Sequence, residues 1–155
     1  MPRRSTSLDE AETASFLGMP NVLNLATFAN DGSIHLVPMW FALTSTGAIG
    51  MAAYAKSQKV RNLQRNRQCT ALIEDGDTYG SLRGLEIVGT ADISNDRDLV
   101  RQIVRGIAGR YTAVATGSNG DDAVEAMARG RVALVLNAQR LVSWDHRKLP
   151  GGPRG

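Results

Sequence analysis

The stretch Tyr54-Ala55-Lys56-Ser57-Gln58-Lys59-Val60-Arg61-Asn62-Leu63 concentrates a hydroxyl and three cations where an apolar strand passes into a helix. The first N–H groups of a helix have no carbonyl to bond, and the aligned peptide dipoles leave partial positive charge at that end. With Ser57 as the cap and Lys56, Lys59 and Arg61 beside it, these groups suit a phosphate. The same residues also describe a solvated cationic helix with an ordinary serine cap, and charge spacing alone leaves both readings open.

A second segment that could carry chemistry is Val37-Pro38-Met39-Trp40-Phe41. Proline removes a donor from a strand, so the backbone near Pro38 is expected to face something other than a neighbouring strand, and a planar ring is one candidate. Met39, Trp40 and Phe41 read equally well as core or interface side chains. His35 and His146 lie far apart and no His-Cys-Glu grouping has metal-ligand spacing, so no metal is expected. The single cysteine, Cys69, lies in an apolar run that predicts burial, and it has no partner for a disulfide within the chain. Gly117-Ser118-Asn119-Gly120 is not a nucleophile elbow, and Gly-x-Gly-x-x-Gly does not occur, which excludes a serine hydrolase and a Rossmann dehydrogenase. A net charge of +3 says little about nucleic acid, but 5% aromatic residues, with Trp40 and Phe41 in the most apolar strand, argue against it. No apolar stretch approaches the roughly 20 residues of a membrane span, and the N-terminus lacks a hydrophobic signal. The expected compartment is the cytoplasm.

Short elements have to position these groups. The 155 residues, 43% of them apolar, suit one domain over the whole chain, with residues 1–6 and 147–155 as flexible ends. Ser7-Leu8-Asp9-Glu10 has the form of a capping box and predicts a helix to about Gly18. Asn21 to Ala29 predicts a strand ending in the hairpin signal Asn30-Asp31-Gly32. A return strand over Ser33 to Leu43 and a third over Ala48 to Tyr54 complete a three-stranded meander. The second strand shows so little polar alternation that both of its faces should be covered, as in a barrel strand that also meets a partner. Ser57 caps a helix over Gln58 to Asn66 with Val60 and Leu63 inward. Strands follow over Gln68 to Glu74 and Tyr79 to Ile93, the latter carrying Gly80, Gly84 and Gly89 as signs of bulges or close backbone approach. Asn95 or Ser94 caps a helix with the stripe Leu99, Val100, Ile103, Val104 and Ile107. Thr112 to Asp122 reads as a mobile loop, Ala123 to Arg129 as a short helical piece, and Arg131 to Asn137 and Leu141 to Trp144 as closing strands. Short strands without regular βαβ alternation favour a mainly β, α+β barrel. A chain of this size has to hold a large cofactor in a surface groove or between two copies.

Four segments together resemble the pyridoxamine-phosphate-oxidase-like split-barrel superfamily, and within it the branch of deazaflavin-dependent enzymes. They are Leu25-Ala26-Thr27 with Asp31-Gly32; Val37-Pro38-Met39-Trp40-Phe41; Lys59-Val60-Arg61-Asn62-Leu63 with Arg67; and Leu82-Arg83-Gly84-Leu85-Glu86-Ile87-Val88-Gly89-Thr90-Ala91. Order and spacing match over roughly residues 8 to 145. The resemblance implies a six-stranded antiparallel split β-barrel with peripheral helices, homodimeric, binding coenzyme F420 or FMN in a groove at the dimer interface. It implies a phosphate at Ser57, Lys59 and Asn62, with Lys56 and Arg61 as neighbours. Pro38, Met39, Trp40 and Tyr54 would line the ring, and Arg83 with Trp144-Asp145-His146 of the other subunit would form the opposite wall. Ser57 stands where relatives often carry a basic residue, which removes one charge from the phosphate site.

The implied activity is hydride transfer between F420 and an unidentified small molecule, for which the ring itself carries the reactive atom. Tyr54 and His146 are the candidates for a proton donor. F420 is favoured over FMN because the Lys-Val-Arg-Asn-Leu form resembles the deazaflavin branch and the many arginines suit a chain of glutamates. An FMN-dependent oxidoreductase and a non-catalytic cofactor carrier are the alternatives.

Overall fold

The chain order is α1 (Glu10–Gly18), β1 (Leu23–Phe28), β2 (Ile34–Met39), β3 (Ala42–Leu43), β4 (Ile49–Tyr54), α2 (Gln58–Arg65), β5 (Gln68–Asp75), β6 (Arg83–Ser94), α3 (Arg97–Tyr111), α4 (Ser118–Ala128) and β7 (Arg131–Asp145). One-turn 3-10 helices cover Tyr79–Ser81 and His146–Lys148. The structure is a computed structural model, and it describes residues 6–112 and 118–150.

The strands form one antiparallel sheet in the order β2-β1-β5-β6-β7-β4-β3. β2 and β3 are its two edges, yet only Trp40 and Phe41 separate them in sequence. Seven strands laid flat would put those edges about 29 Å apart, whereas three residue steps reach at most about 11 Å. The sheet therefore curls until its edges almost meet, and the gap between them is the split of the barrel. Of the expected meander, β1 and β2 do form a hairpin, turning at Gly32 with φ +82°, as do β3 and β4. Of the second expected strand only its last two residues, Ala42 and Leu43, pair with the third, because the chain breaks at Trp40-Phe41 and crosses from one edge to the other. The break splits one expected strand into two, and the sheet has seven strands where the resemblance implied six.

Inside the curl, Leu23, Leu25, Met51, Ala71, Ile73, Leu85, Ile87 and Leu134 are buried from the strands. Phe16 of α1 and Val60 and Leu63 of α2 join them. α3 and α4 cover the outer face of β3, β4 and the first half of β7, burying Val100, Ile103, Val104, Ile107, Val124 and Ala133. The outer face of β1, β2, β5, β6 and the second half of β7 has no cover among the described residues. There Phe28 and Ile34 are register neighbours, as are Ala26 and Leu36. Leu36 is 63% exposed and Ile34 56%. β2 was expected to be covered on both faces; in the single chain only its inward residues His35, Val37 and Met39 are half-buried.

Several boundaries differ from expectation for local reasons. Asp9, not Ser7, caps α1, in a reciprocal box with Glu12, while the Leu8 N–H donates to Ser143 Oγ at 2.9 Å. Asp96, not Asn95 or Ser94, caps α3, accepting from the N–H groups of Asp98 and Leu99. Tyr79–Ser81 is a 3-10 turn, so β6 starts at Arg83, and the two closing strands are one. The expected loop over Thr112 to Asp122 is helical from Ser118 onward, and residues 113–117 lie outside the described residues. Residues 147 and 148, expected at a flexible end, are tied down. Arg147 pairs with buried Asp145, whose carboxyl it holds below the usual carboxylate range, and Lys148 reaches Glu12 at 2.6 Å. No helix among the described residues is long and apolar enough to cross a membrane.

The β6–β7 ladder shifts register between Val88 and Gly89. A Cβ at Gly89 would fall inside van der Waals contact of the Asn137 carbonyl oxygen, a backbone atom that cannot step aside, whereas one at Gly109 in α3 meets nothing within 4 Å. Gly89→Ala should therefore destabilise the fold by about 1–3 kcal/mol. Gly109→Ala should stabilise it by about 0.4–1 kcal/mol. Chemical denaturation midpoints of the two variants check both signs.

Candidate functional site

β4 leads into α2 through a turn in which the Ser57 N–H donates to the Tyr54 carbonyl, at 2.9 Å, and the Ser57 carbonyl accepts from the Arg61 N–H, at 3.1 Å. Ser57 occupies the cap position in extended conformation, but its hydroxyl does not bond the helix. Its Oγ is buried and has no partner among the described residues. A cap serine normally satisfies one of the free N–H groups of the first turn, so a buried, unspent hydroxyl beside unspent N–H groups is a polar cradle lacking an acceptor. Lys59 adds a charge at the same place. It is half-buried, no carboxylate among the described residues pairs with it, and burial holds its ammonium below the ordinary lysine range. Lys56 and Arg61 lie exposed on either side. The donor set fits a phosphate.

Asn62 does a different job. Its side chain is fully buried, with Nδ2 donating to Thr27 Oγ1 of β1 at 3.0 Å and Oδ1 accepting from Gln58 and Arg65, each at 2.8 Å. The amide thus fixes α2, and with it Ser57 and Lys59, to the inner face of the sheet. Arg65 is part of this network. Arg67 of the same segment pairs with Asp92.

At the split, Pro38, Met39 and Trp40 come from one sheet edge and Ala52 from β4. With Val104 and Ile107 of α3, Met127 of α4 and Arg131 of β7 they line an open pocket of about 210 Å³. Trp40 is 45% exposed and lies flat against Tyr111, with 5.1 Å between ring centroids and 4° between planes. Tyr54, 58% exposed, is the register partner of Arg131, whose guanidinium lies 4.4 Å from its ring centroid. Two residues, Ala55 and Lys56, separate Tyr54 from Ser57, so the polar cradle follows directly on the strand that carries Ala52 and Tyr54.

The remaining expected site residues lie elsewhere on the chain. Arg83 points inward, pairs with Asp75 and covers the Phe16 ring. Trp144 is on the open outer face, lying over Gly84 so closely that a Cβ there would collide with the indole. It borders a broad concavity of about 580 Å³ with Asn24, Ala26, Leu36, Thr70, Leu72 and Glu86. His146 bonds the Tyr79 carbonyl through Nδ1 at 2.7 Å and is not a wall of the split pocket. Cys69 is buried and its thiol is pushed up to about 11. Among the described residues no three His, Cys, Asp or Glu side chains converge as for a metal.

The sequence reading missed Arg131, Met127, Tyr111 and Thr27. Tyr111 reaches Trp40, and Arg131 reaches Tyr54, only through sheet closure and the β4–β7 register, for which a single sequence holds no local signal.

Residues 9–145 match the pyridoxamine 5'-phosphate oxidase family. A conserved hypothetical protein of Mycobacterium tuberculosis is 36% identical, with a TM-score of 0.89, the match covering 100% of this chain and 98% of that one. A structure described as an F420 reductase is 26% identical, with a TM-score of 0.62 over 83% of this chain and 94% of that one. The heme storage protein HutZ of Vibrio cholerae shares the fold alone, at 15% identity and a TM-score of 0.66 over 87% of this chain and 94% of that one. No curated protein matches the chain.

Removing the Asn62 amide strands the Thr27 hydroxyl inside the barrel. Asn62→Ala should cost about 1–3 kcal/mol, the penalty of an unsatisfied buried polar group. Thermal unfolding of the variant against the parent measures it.

Proposed function

The chain belongs to the pyridoxamine 5'-phosphate oxidase family, and from that premise we propose that it is an oxidoreductase that binds coenzyme F420 and exchanges a hydride with a small molecule. The observation that carries this reading is the buried, partnerless Ser57 hydroxyl at the free N-terminus of α2, beside the unpaired, half-buried Lys59. The phosphate that F420 and FMN both carry would satisfy all three kinds of donor. F420 is preferred over FMN because of the 26% identity to an F420 reductase, and because exposed Lys56 and Arg61 offer a basic path for an acidic tail.

Once bound, F420 supplies a ring that can give or take a hydride. The chain's own residues hold and shield it. Ser57 and Lys59 anchor the phosphate, and Pro38, Met39 and Trp40 offer an apolar border at the split. Asn62 acts indirectly, by keeping α2 in place. The Tyr54 hydroxyl is the proton donor available beside the pocket.

The reading includes a second copy of the chain. The open outer face carries exposed Phe28, Ile34 and Leu36 on β1 and β2 and Val142 on β7, beside Trp144, apolar side chains of the kind that mark an interface. A symmetric pair burying this face would bring one chain's Trp144 toward the other copy. Light scattering should then report about twice 16.6 kDa, and a monomer would remove the shared site.

Fluorescence titrations with F420 and FMN test the cofactor. Lys59→Ala should weaken binding by about 1.5–3 kcal/mol, the scale of a charge-assisted hydrogen bond. A bound phosphate favours the charged ammonium, so affinity should fall as pH rises through the lowered pKa of Lys59 and hold steady below it. F420 affinity should decline with salt more steeply than FMN affinity, because only the acidic tail meets exposed, screened cations. Tight FMN binding beside undetectable F420 binding would leave an FMN enzyme instead. Binding by dimeric protein without turnover across a panel of reductants would leave a carrier.

A further inference from the structure

The pocket at the split is too small for the cofactor that the neighbouring cradle suits. Its volume of about 210 Å³ lies below the roughly 300–1,000 Å³ of sites that take a drug-sized ligand. A dry cavity of about 150 Å³ accepts a benzene ring, however, so one ring with one substituent fits. Pro38, Met39, Trp40, Val104, Ile107 and Met127 make the walls apolar, and Arg131 is the one charged group among the lining residues.

Arg131 is held as a recognition group would be. Gly130, at φ +69°, turns the chain into β7, and Arg97 locks that turn by donating to the carbonyls of Ala128 and Arg131, each at 3.0 Å. The Arg131 guanidinium rests on the Tyr54 ring and donates from Nη1 to the Met127 carbonyl. No carboxylate among the described residues pairs with it, whereas Arg83, Arg101, Arg105 and Arg147 each have one. A planar guanidinium with donors to spare in the lining of an otherwise apolar pocket is matched by a carboxylate, which it can grip through two parallel bonds. A neutral occupant would desolvate the cation without compensating its charge.

We infer that the split pocket takes an apolar carboxylic acid about the size of a single ring, its carboxylate on Arg131 and its apolar body between Trp40 and Met127. This rests on the proposed function in one respect: the acid is then the smaller reactant, seated beside the residues that border the cofactor ring.

Trp40 and Trp144 are the only tryptophans, so Trp144→Phe, which keeps a ring over Gly84, leaves Trp40 as the sole indole reporter. Titrating that protein without cofactor, benzoate should change Trp40 emission saturably, and the neutral isostere benzamide should bind at least tenfold more weakly. Arg131→Leu should abolish the benzoate response, and Arg131→Lys should leave an intermediate one. With Trp144 restored, Arg131→Leu should change cofactor affinity less than twofold. Absence of a saturable benzoate response, equal binding of benzamide, or benzoate binding that survives Arg131→Leu would overturn the inference. A tenfold loss of cofactor affinity in Arg131→Leu would give the arginine to the cofactor and overturn it too. Should Arg131→Leu fail to fold, the comparison of the two probes on protein with Arg131 intact decides alone. Because these titrations omit the cofactor, failure of the flavin reading leaves their outcome intact.

Discussion

Two residues, Trp40 and Phe41, have to carry the chain from one edge of a seven-stranded sheet to the other, and the rest of the structure follows from that short span. The sheet cannot lie flat, so it encloses a core; it cannot close completely, because the linking residues are not paired as a strand. Phe41 is buried without remainder and has the Arg110 guanidinium 4.5 Å from its ring centroid, which anchors the crossing on the helical side. Trp40, one residue earlier, is left at the surface against Tyr111. The gap that results is bordered by unpaired strand edges, and Pro38 removes one of the donors there.

α2 depends on the same curl. It lies across the inner face of the sheet, and its one polar tether into the core, from Asn62 to Thr27, holds its N-terminus open at the end of β4. The polar cradle is thus set by a residue that sees no solvent, and the pocket beside it by a register, Tyr54 against Arg131, that links two strands far apart in sequence. The cradle and the Tyr54–Arg131 pair stand at the two sides of one turn of chain.

Much of this was legible in the residues. The hairpin at Asp31-Gly32, the amphipathic helix with Val60 and Leu63 inward, and the special spacing needs of Gly84 and Gly89 follow from local chemistry and appear as expected. The concentration of donors at Ser57 and Lys59 is equally local. What could not be read is non-local. The apolar run from Ile34 to Leu43 looks like one strand, because nothing in side-chain type marks Trp40 and Phe41 as the place where the sheet changes edge. Asn62 entered the phosphate site through the resemblance alone, and its bond to Thr27, 35 residues away, has no local signal in the sequence. The helix caps slipped by a few residues, since Ser7 and Asp9, or Ser94 and Asp96, are chemically equivalent candidates until the neighbouring strands choose between them.

The position of β7 carries a consequence for how the barrel comes into being. It is the last strand in chain order, yet it stands in the interior of the sheet between β6 and β4. Until residues 131–145 have left the ribosome, the β3–β4 hairpin has no strand to join, and β6 presents a long naked edge. Synthesis therefore passes through a stage at which most of the apolar sequence exists and the closing strand does not. Such pairings over long sequence separation are slow to form, and bare edges in the meantime invite association with other chains. The architecture makes the arrival of β7, rather than collapse of the segments before it, the event that commits the sheet to its native order.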